Sequence, residues 1–158
     1  MSRLRVDADQ QTEMKRTSFM GSSAFYISEI VFGDDGYAVV TNGSGETADP
    51  EGMQLCQFPA YPDLPAGAVP PQGSIKVAGQ DLGGLDNSEG ELALYLEPSY
   101  ADPDAVAGYV QWGEIGHKRE EPAVDAGVWD DGAFIDASSA NSLVSEPGAH
   151  SPDDWTIQ

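Results

Sequence analysis

The chain has few cations, a single cysteine and no long apolar run. Seven Lys and Arg stand against 27 Asp and Glu in 158 residues, which gives a formal net charge of -20. A charge of this sign repels nucleic-acid phosphates and anionic lipid head groups, so it argues against a nucleic-acid or membrane partner. Cys56 alone excludes an intrachain disulfide and a cysteine-rich zinc site. Its apolar neighbours in MQLCQF predict a buried structural thiol rather than a nucleophile.

The N-terminus has no apolar signal-peptide segment, and no stretch approaches the length of a membrane span. We therefore expect the chain to be made in the cytoplasm, to stay soluble and to reach other locations only with a partner. A chain of 158 residues is enough for one domain with a real core, and a second independent core would be hard to fit. The sequence therefore predicts one domain with tails.

Residues 1–24 are polar and rich in Ser, Thr and Gln, which predicts an arm that is disordered on its own. Within residues 1–16, four cations stand against three acids, for a charge of +1, while the other 142 residues hold three cations and 24 acids, for -21. Such an arm can dock on another acidic body, including a neighbouring copy, and the alternative is a flexible tail. Its candidate partner-binding residues are Arg3, Arg5, Lys15 and Arg16.

From Phe25 the chain alternates short apolar runs with loops of Gly, Pro and Asp. The predicted strands lie in FYISEIVF, YAVVTN, MQLCQF, SIKVAG, ELALYLE and YVQWG, while only EEPAVDAGVW has helical character. This spacing is typical of an all-β, antiparallel β-sandwich, predicted over residues 25–136. Residues 137–158 are predicted to form an irregular tail. In that tail, Trp155 and Ile157 are apolar anchors that pack on the domain or contact a neighbour, so Trp155 is a candidate partner-binding residue.

The predicted strands and loops together resemble the lamin tail domain in its bacterial form. The resemblance runs over about residues 27–135, through ISEIVFGDDGYAVVTNGSGETADPEGMQLCQFPAYPDLP, VPPQGSIKVAG, EGELALYL and AGYVQWG. YVQWGEIGHKREEPAVDAGVW is similar to the end of the bacterial version. The resemblance implies an immunoglobulin-like sandwich that acts as a non-enzymatic interaction module. It supplies no catalytic residues, and the export common among bacterial relatives is not expected in a chain without a signal peptide.

His117, Lys118 and Arg119 lie between Trp112 and Trp129 and could form an anion-binding or acid–base cluster. Neighbours in an extended segment point in alternate directions, so convergence on one ligand needs a special turn. Acids close in sequence could also neutralise the three cations, and these are Glu114, Glu120 and Glu121. We therefore predict a structural or partner-binding role for the triplet, with both tryptophans in the core; a carbohydrate-stacking platform is the alternative for the tryptophans.

The acidic clusters GDDG, DNSEGE, ADPDA, WDDG and SPDDW raise the question of a calcium site. None has the alternating carboxylate loop with a distal Glu, which favours solvated turns. The sequence also lacks a phosphate-binding Gly-Lys-Ser loop, a paired-His zinc motif and a Gly-x-Ser-x-Gly elbow. We therefore expect no catalytic residues, no metal site and no cofactor.

These features together predict a structural accessory of a large assembly, with a repeating subunit or a neighbouring copy as its partner. A decoration or minor capsid protein of a bacterial virus is the specific hypothesis, with the chain multimeric in a virion. The alternative is a cell-surface or extracellular module that binds carbohydrate or calcium.

Overall fold

The computed structural model describes residues 24–158, so Arg3, Arg5, Lys15 and Arg16 of the predicted arm lie outside the described residues. Within them the fold is all-β, with short helical turns between strands. The strands are β1 Phe25–Val31, β2 Tyr37–Asn42, β3 Gln54–Cys56, β4 Ser74–Ala78, β5 Gly90–Tyr95, β6 Val106–Trp112, β7 Ser142–Val144 and β8 Thr156–Ile157; the helix α1 is Glu120–Asp125. The 3-10 turns are Gly79–Leu82, Pro103–Ala105 and Pro152–Asp154.

The strands form two sheets in which every strand pairing is antiparallel. One sheet has five strands in the order β4-β2-β1-β7-β8, and the other has three in the order β3-β5-β6. Both sheets contribute fully buried apolar side chains to one cluster, among them Ile30 and Val40 from the first sheet and Leu92 and Val110 from the second. The six predicted strand segments and the predicted antiparallel sandwich are therefore confirmed.

The GDDG stretch makes the tight turn that the sequence predicts between β1 and β2. The N–H of Gly36 donates to the carbonyl of Gly33 over 2.9 Å, and Val31 pairs with Tyr37 on either side of the turn. Gly33 has a φ of 114°, which residues with a Cβ rarely adopt. The turn therefore sets the register of the first hairpin.

The next loop, residues 42–52, is anchored by a buried asparagine at the end of β2. The amide nitrogen of Asn42 donates to the carbonyls of Glu46 and Val69, both over 2.9 Å. Its side-chain oxygen accepts the N–H and the hydroxyl of Ser44 over 2.9 and 2.7 Å. The predicted surface loop is thus held at its base by one polar side chain whose hydrogen bonds are satisfied, as burial requires.

Residues 137–158 supply two strands to the larger sheet, where the sequence predicted an irregular tail. β7 pairs with β1 through Ile30 and Leu143, and β8 pairs with β7. The local pattern is too short and too polar to identify these strands, because their hydrogen-bond partners lie far away in sequence. Trp155 packs back on the domain with 8% of its surface exposed, whereas Ile157 remains 49% exposed.

Candidate functional site

The segment that follows β6 covers the outer face of the three-stranded sheet. It leaves the strand at Gly113 and returns at Ile135, which forms an isolated parallel bridge with Trp112. The N–H of Gly113 donates to the carbonyl of Ile135 over 2.9 Å, and the N–H of Ile135 donates to the carbonyl of Gln111 over 3.1 Å. The ends of the segment are therefore tied together, so that α1 packs against β6.

This cover explains why β5 is buried on both of its faces. The alternation in ELALYLE predicts one inward face with Leu92, Leu94 and Leu96, and the first two are indeed fully buried. The opposite face, with Glu91, Ala93 and Tyr95, is buried as well. The alternation of residues in a strand distinguishes its two faces, but it does not show whether a loop from elsewhere in the chain covers the second face. The sequence therefore did not identify this face as a site.

Glu120 joins the two arms of the covering segment through hydrogen bonds. It begins α1 and is 7% exposed. One carboxylate oxygen accepts the N–H of Gly116 over 2.6 Å, and the other accepts the N–H of Gly132 over 2.9 Å. The carboxylate thus joins the two arms of the segment, a structural role that proximity in sequence to the basic triplet did not indicate.

A second buried carboxylate, Glu91, joins the segment to the sheet. Its oxygen accepts the hydroxyl of Tyr109 over 2.7 Å and the backbone N–H of Arg119 over 3.0 Å. The amide of Gln111 donates to the carbonyl of Ala133 over 2.8 Å and holds the other arm. Tyr109 and Gln111 lie on the face opposite Trp112, and Trp112 packs edge-on against Phe32 with ring centroids 5.4 Å apart.

The side chain of Arg119 lies among three aromatic rings. Its guanidinium carbon is 5.1 Å from the ring centroid of Tyr100 and 5.6 Å from those of Tyr61 and Phe58. One guanidinium nitrogen donates to the hydroxyl of Tyr61 over 2.5 Å. Tyr61 and Tyr100 stack with centroids 4.4 Å apart, and the hydroxyl of Tyr100 donates to Gln54. Arginine on aromatic faces is a stabilising arrangement that lysine reproduces poorly.

Lys118 extends this cluster to the surface. Its ammonium nitrogen lies 5.2 Å from the ring centroid of Phe58, which is 48% exposed. We name the aromatic–cation patch as Phe58, Tyr61, Tyr100, Lys118 and Arg119. The sequence singled out the two cations but missed the three aromatics, which stand in Pro-containing loops; aromatic residues in such loops were the available signal.

The basic triplet does not pair with the acids that the sequence proposed for it. Within residues 24–158, no ion pair joins Lys118 or Arg119 to a carboxylate, and His117 approaches only Glu89, at 3.9 Å. The expected alternation of adjacent side chains does not hold for Lys118 and Arg119, which stand in a turn and both lie over the ring of Phe58. His117 instead has an 18% exposed side chain beside Glu89. Tertiary contacts, rather than sequence neighbours, supply the partners.

The acidic loops form turns. The carboxylates of Asp49, Asp86, Asp102 and Asp136 each accept the backbone N–H two residues further on, at 2.8 to 3.2 Å. Hydrogen bonds from Ser88 hold the pKa of Asp86 below its usual value, because they favour the charged form. Within residues 24–158, no group of three or more His, Cys, Asp or Glu is arranged to hold a metal ion.

Three buried groups that can lose a proton lie at the covered face of the three-stranded sheet: the phenols of Tyr95 and Tyr109 and the thiol of Cys56. Burial, followed by the nearby Glu91 carboxylate, raises the pKa of Tyr109, and burial is also the main cause of a raised pKa at Tyr95. Burial raises the pKa of Cys56 to about 12 from 9.0, although Arg119 acts in the opposite direction. Cys56 is thus a buried, poorly ionised thiol, as predicted.

These raised pKa values make the free energy of unfolding depend on pH in the alkaline range. The unfolded chain releases the three protons first, so their contribution is fully present below about pH 9 and is lost as pH rises above it. Each group that keeps its proton in the folded chain and loses it in the unfolded chain lowers the free energy of unfolding by about 1.4 kcal/mol per pH unit in this range. Urea unfolding at pH 8 to 11 should show this fall, with a shallower slope for Tyr109→Phe. Equal stability of the unmodified chain at pH 8 and pH 11 would contradict the prediction.

Comparisons with known proteins identify no relative of this chain: no family model, curated protein or solved structure matches it. Among the described residues, no helix is both long and apolar enough to cross a membrane.

Proposed function

We propose that this protein is a non-enzymatic interaction module, attached as an accessory to a large protein assembly. The observation that carries the proposal is the composition of the aromatic–cation patch. Residues 24–158 contain three Lys and Arg in all, and two of them, Lys118 and Arg119, meet around the exposed ring of Phe58. Aromatic residues and arginine are enriched in the energetically dominant parts of protein interfaces.

The charge of the domain favours an acidic partner surface for the patch. Residues 24–158 carry a charge of -21, so long-range repulsion opposes contact between two such surfaces except where cations lie between them. A positively charged, partly apolar patch on an acidic body gives both local attraction and orientation. A repeating subunit of an assembly, or another copy of this chain, is the partner that we propose.

The strand order supports an immunoglobulin-like interpretation. β1-β2-β4 and β3-β5-β6 follow the A-B-E and C-F-G arrangements of an immunoglobulin sandwich, and β7 and β8 extend the first sheet beside β1. This order agrees with the proposed resemblance to the lamin tail domain. We therefore propose a lamin-tail-like module and, as its specific setting, a decoration or minor capsid position on a bacterial virus particle.

The second function considered from the sequence, binding of carbohydrate or calcium, has no observation in its favour. A carbohydrate platform needs exposed coplanar aromatics, whereas Tyr61 and Tyr100 stack on each other at an interplanar angle of 26° and are half-buried. The carboxylates of Asp49, Asp86, Asp102 and Asp136 are engaged in turns. Protein attachment therefore remains the single function that we propose.

Density-gradient sedimentation of extracts from the native host tests the proposal. The unmodified chain should sediment with a heavy particle at a fixed ratio, measured by mass spectrometry across the fractions. The double variant Phe58→Ala, Lys118→Ala should lower the association constant for the particle by about tenfold, which corresponds to loss of roughly 1.4 kcal/mol of binding, and the bound fraction should fall accordingly.

The matched control for this experiment is Lys76→Ala. Lys76 also lies over an aromatic ring, at 4.1 Å from the centroid of Tyr37, but on the five-stranded sheet. It should therefore leave sedimentation unchanged. Recovery of the unmodified chain only in light fractions, or equal loss in both variants, would overturn the proposal.

A further inference from the structure

A groove of about 470 Å³ lies at the open side of the sandwich, away from the aromatic–cation patch. One part of its wall comes from β6, at Ala107, Gly108 and Tyr109, and another from the start of β1. The turn after β7 and Trp155 also line it. The groove therefore lies where an edge of the smaller sheet faces the larger one.

β6 presents an open edge to this groove. It is the last strand of its sheet, and the segment at Ile135 covers only its end near Trp112. The carbonyl of Gln111 points away from β5, because it accepts the N–H of Ile135. By the two-residue alternation of a strand, the backbone of Tyr109 points the same way. Within residues 24–158, no backbone hydrogen bond beyond the sheet ladder reaches Tyr109.

Trp155 lines the groove and carries an unpaired hydrogen-bond donor. The residue is 8% exposed, and its indole N–H is buried without an acceptor among residues 24–158. A buried donor without a partner is costly, so an occupant that brings an acceptor is favoured. Peptide carbonyls are such acceptors, and an open strand edge binds extended peptides through its backbone. The groove is thus suited to an extended peptide segment.

We propose that the occupant is the chain's own N-terminal segment, residues 1–23, bound beside β6. The segment joins the domain at Ala24, which lines the groove. Twenty-three residues can span up to roughly 75 Å, so reach is not limiting. The tether also makes docking intramolecular, at an effective concentration that a free partner does not match.

Charge and composition favour the same occupant. Residues 1–23 carry a net charge of +1 against -21 on the domain. The charged groups at the groove are Glu146 and His150, and His150 lies 3.4 Å from the carboxylate of Asp154. Phe19 and Met20 stand within five residues of Ala24 and provide apolar side chains for a groove whose wall includes Phe25 and Val128. This inference is independent of any partner at the aromatic–cation patch.

Limited trypsin digestion of the full-length chain tests the proposal. Docking should slow cleavage after Lys15 and Arg16 relative to a synthetic peptide of residues 1–23. Trp155→Phe removes the indole N–H and keeps an aromatic side chain, so it should speed this cleavage by about fivefold, as expected for one lost hydrogen bond. Cleavage after Lys76, inside β4, reports unfolding of the domain in the same digest.

Trp129→Phe is the matched control. It also removes an indole N–H, but one that donates to the carbonyl of Ala133 over 2.8 Å, outside the groove. It should leave cleavage after Lys15 unchanged when cleavage after Lys76 is unchanged. Hydrogen exchange at the amide of Tyr109 should accelerate in Trp155→Phe alone.

Cleavage after Lys15 at the rate of the free peptide, or equal acceleration by both tryptophan variants, would overturn the proposal. Protection that grows with protein concentration would place the segment on a second copy and would also overturn it. Protection that is independent of concentration and is lost in Trp155→Phe is the supporting result.

Discussion

Replacing Glu120 by alanine is expected to lower the free energy of unfolding by about 3 kcal/mol, because two buried hydrogen bonds to a charged group are lost together. The carboxylate accepts the N–H groups of Gly116 and Gly132, and alanine leaves both donors without that acceptor. Urea unfolding followed by tryptophan fluorescence measures the change, since Trp129 belongs to the covering segment and is buried against Tyr109 of β6.

Glu121→Ala is the control for this substitution. Glu121 is the next residue of α1, has the same charge and is exposed. Exposed substitutions away from special contacts usually change stability by no more than about 0.5 kcal/mol. If Glu120→Ala and Glu121→Ala have the same effect, the carboxylate does not fasten the segment.

Replacing Gly113 by alanine is expected to cost about 3 kcal/mol, because the position is both strained and crowded. Gly113 has a φ of 84°, and an added Cβ would lie 2.0 Å from the carbonyl oxygen of Ser88. The backbone must shift where the covering segment leaves β6. Thermal and urea unfolding measure the loss, and the backbone shift should also reduce protection of amides in the segment from hydrogen exchange.

Gly116→Ala separates strain from crowding. Gly116 has nearly the same φ, 83°, but no atom lies within 4 Å of the added Cβ. Alanine should therefore cost only about 1 kcal/mol there, from the left-handed backbone alone. Equal losses at Gly113 and Gly116 would show that the close approach to Ser88 is not limiting.

Both substitutions act on the segment that positions the aromatic–cation patch. Glu120 and Gly113 do not belong to the patch, yet Arg119 directly precedes Glu120, and its backbone N–H is held by Glu91. Loosening the segment removes the constraint that keeps the guanidinium against Tyr61 and Tyr100. The proposed attachment surface therefore depends on buried polar groups that make no contact with a partner.

Local sequence determined the strands whose own residues carry the signal. FYISEIVF and YAVVTN are β-branched and aromatic runs beside turn residues, and β1 and β2 follow from them with the expected turn. Burial of Trp112, Trp129 and Cys56 was likewise predictable, since Trp112 continues a strand, Trp129 follows AVDAGV and Cys56 lies in the apolar run MQLCQF. In these cases the physical cause acts within a few residues.

Only the tertiary structure decided which distant groups meet. Arg119 reaches Tyr61 across 58 positions of sequence, and Ser145 bonds to the carbonyl of Ile27 across 118. The strands β7 and β8 depend on such distant pairing, and so does burial of Glu91 beneath a covering loop. Local composition determined which segments are able to form an antiparallel sandwich. Hydrogen bonds and packing between segments remote in sequence determined the site, because these contacts form only after the chain has folded.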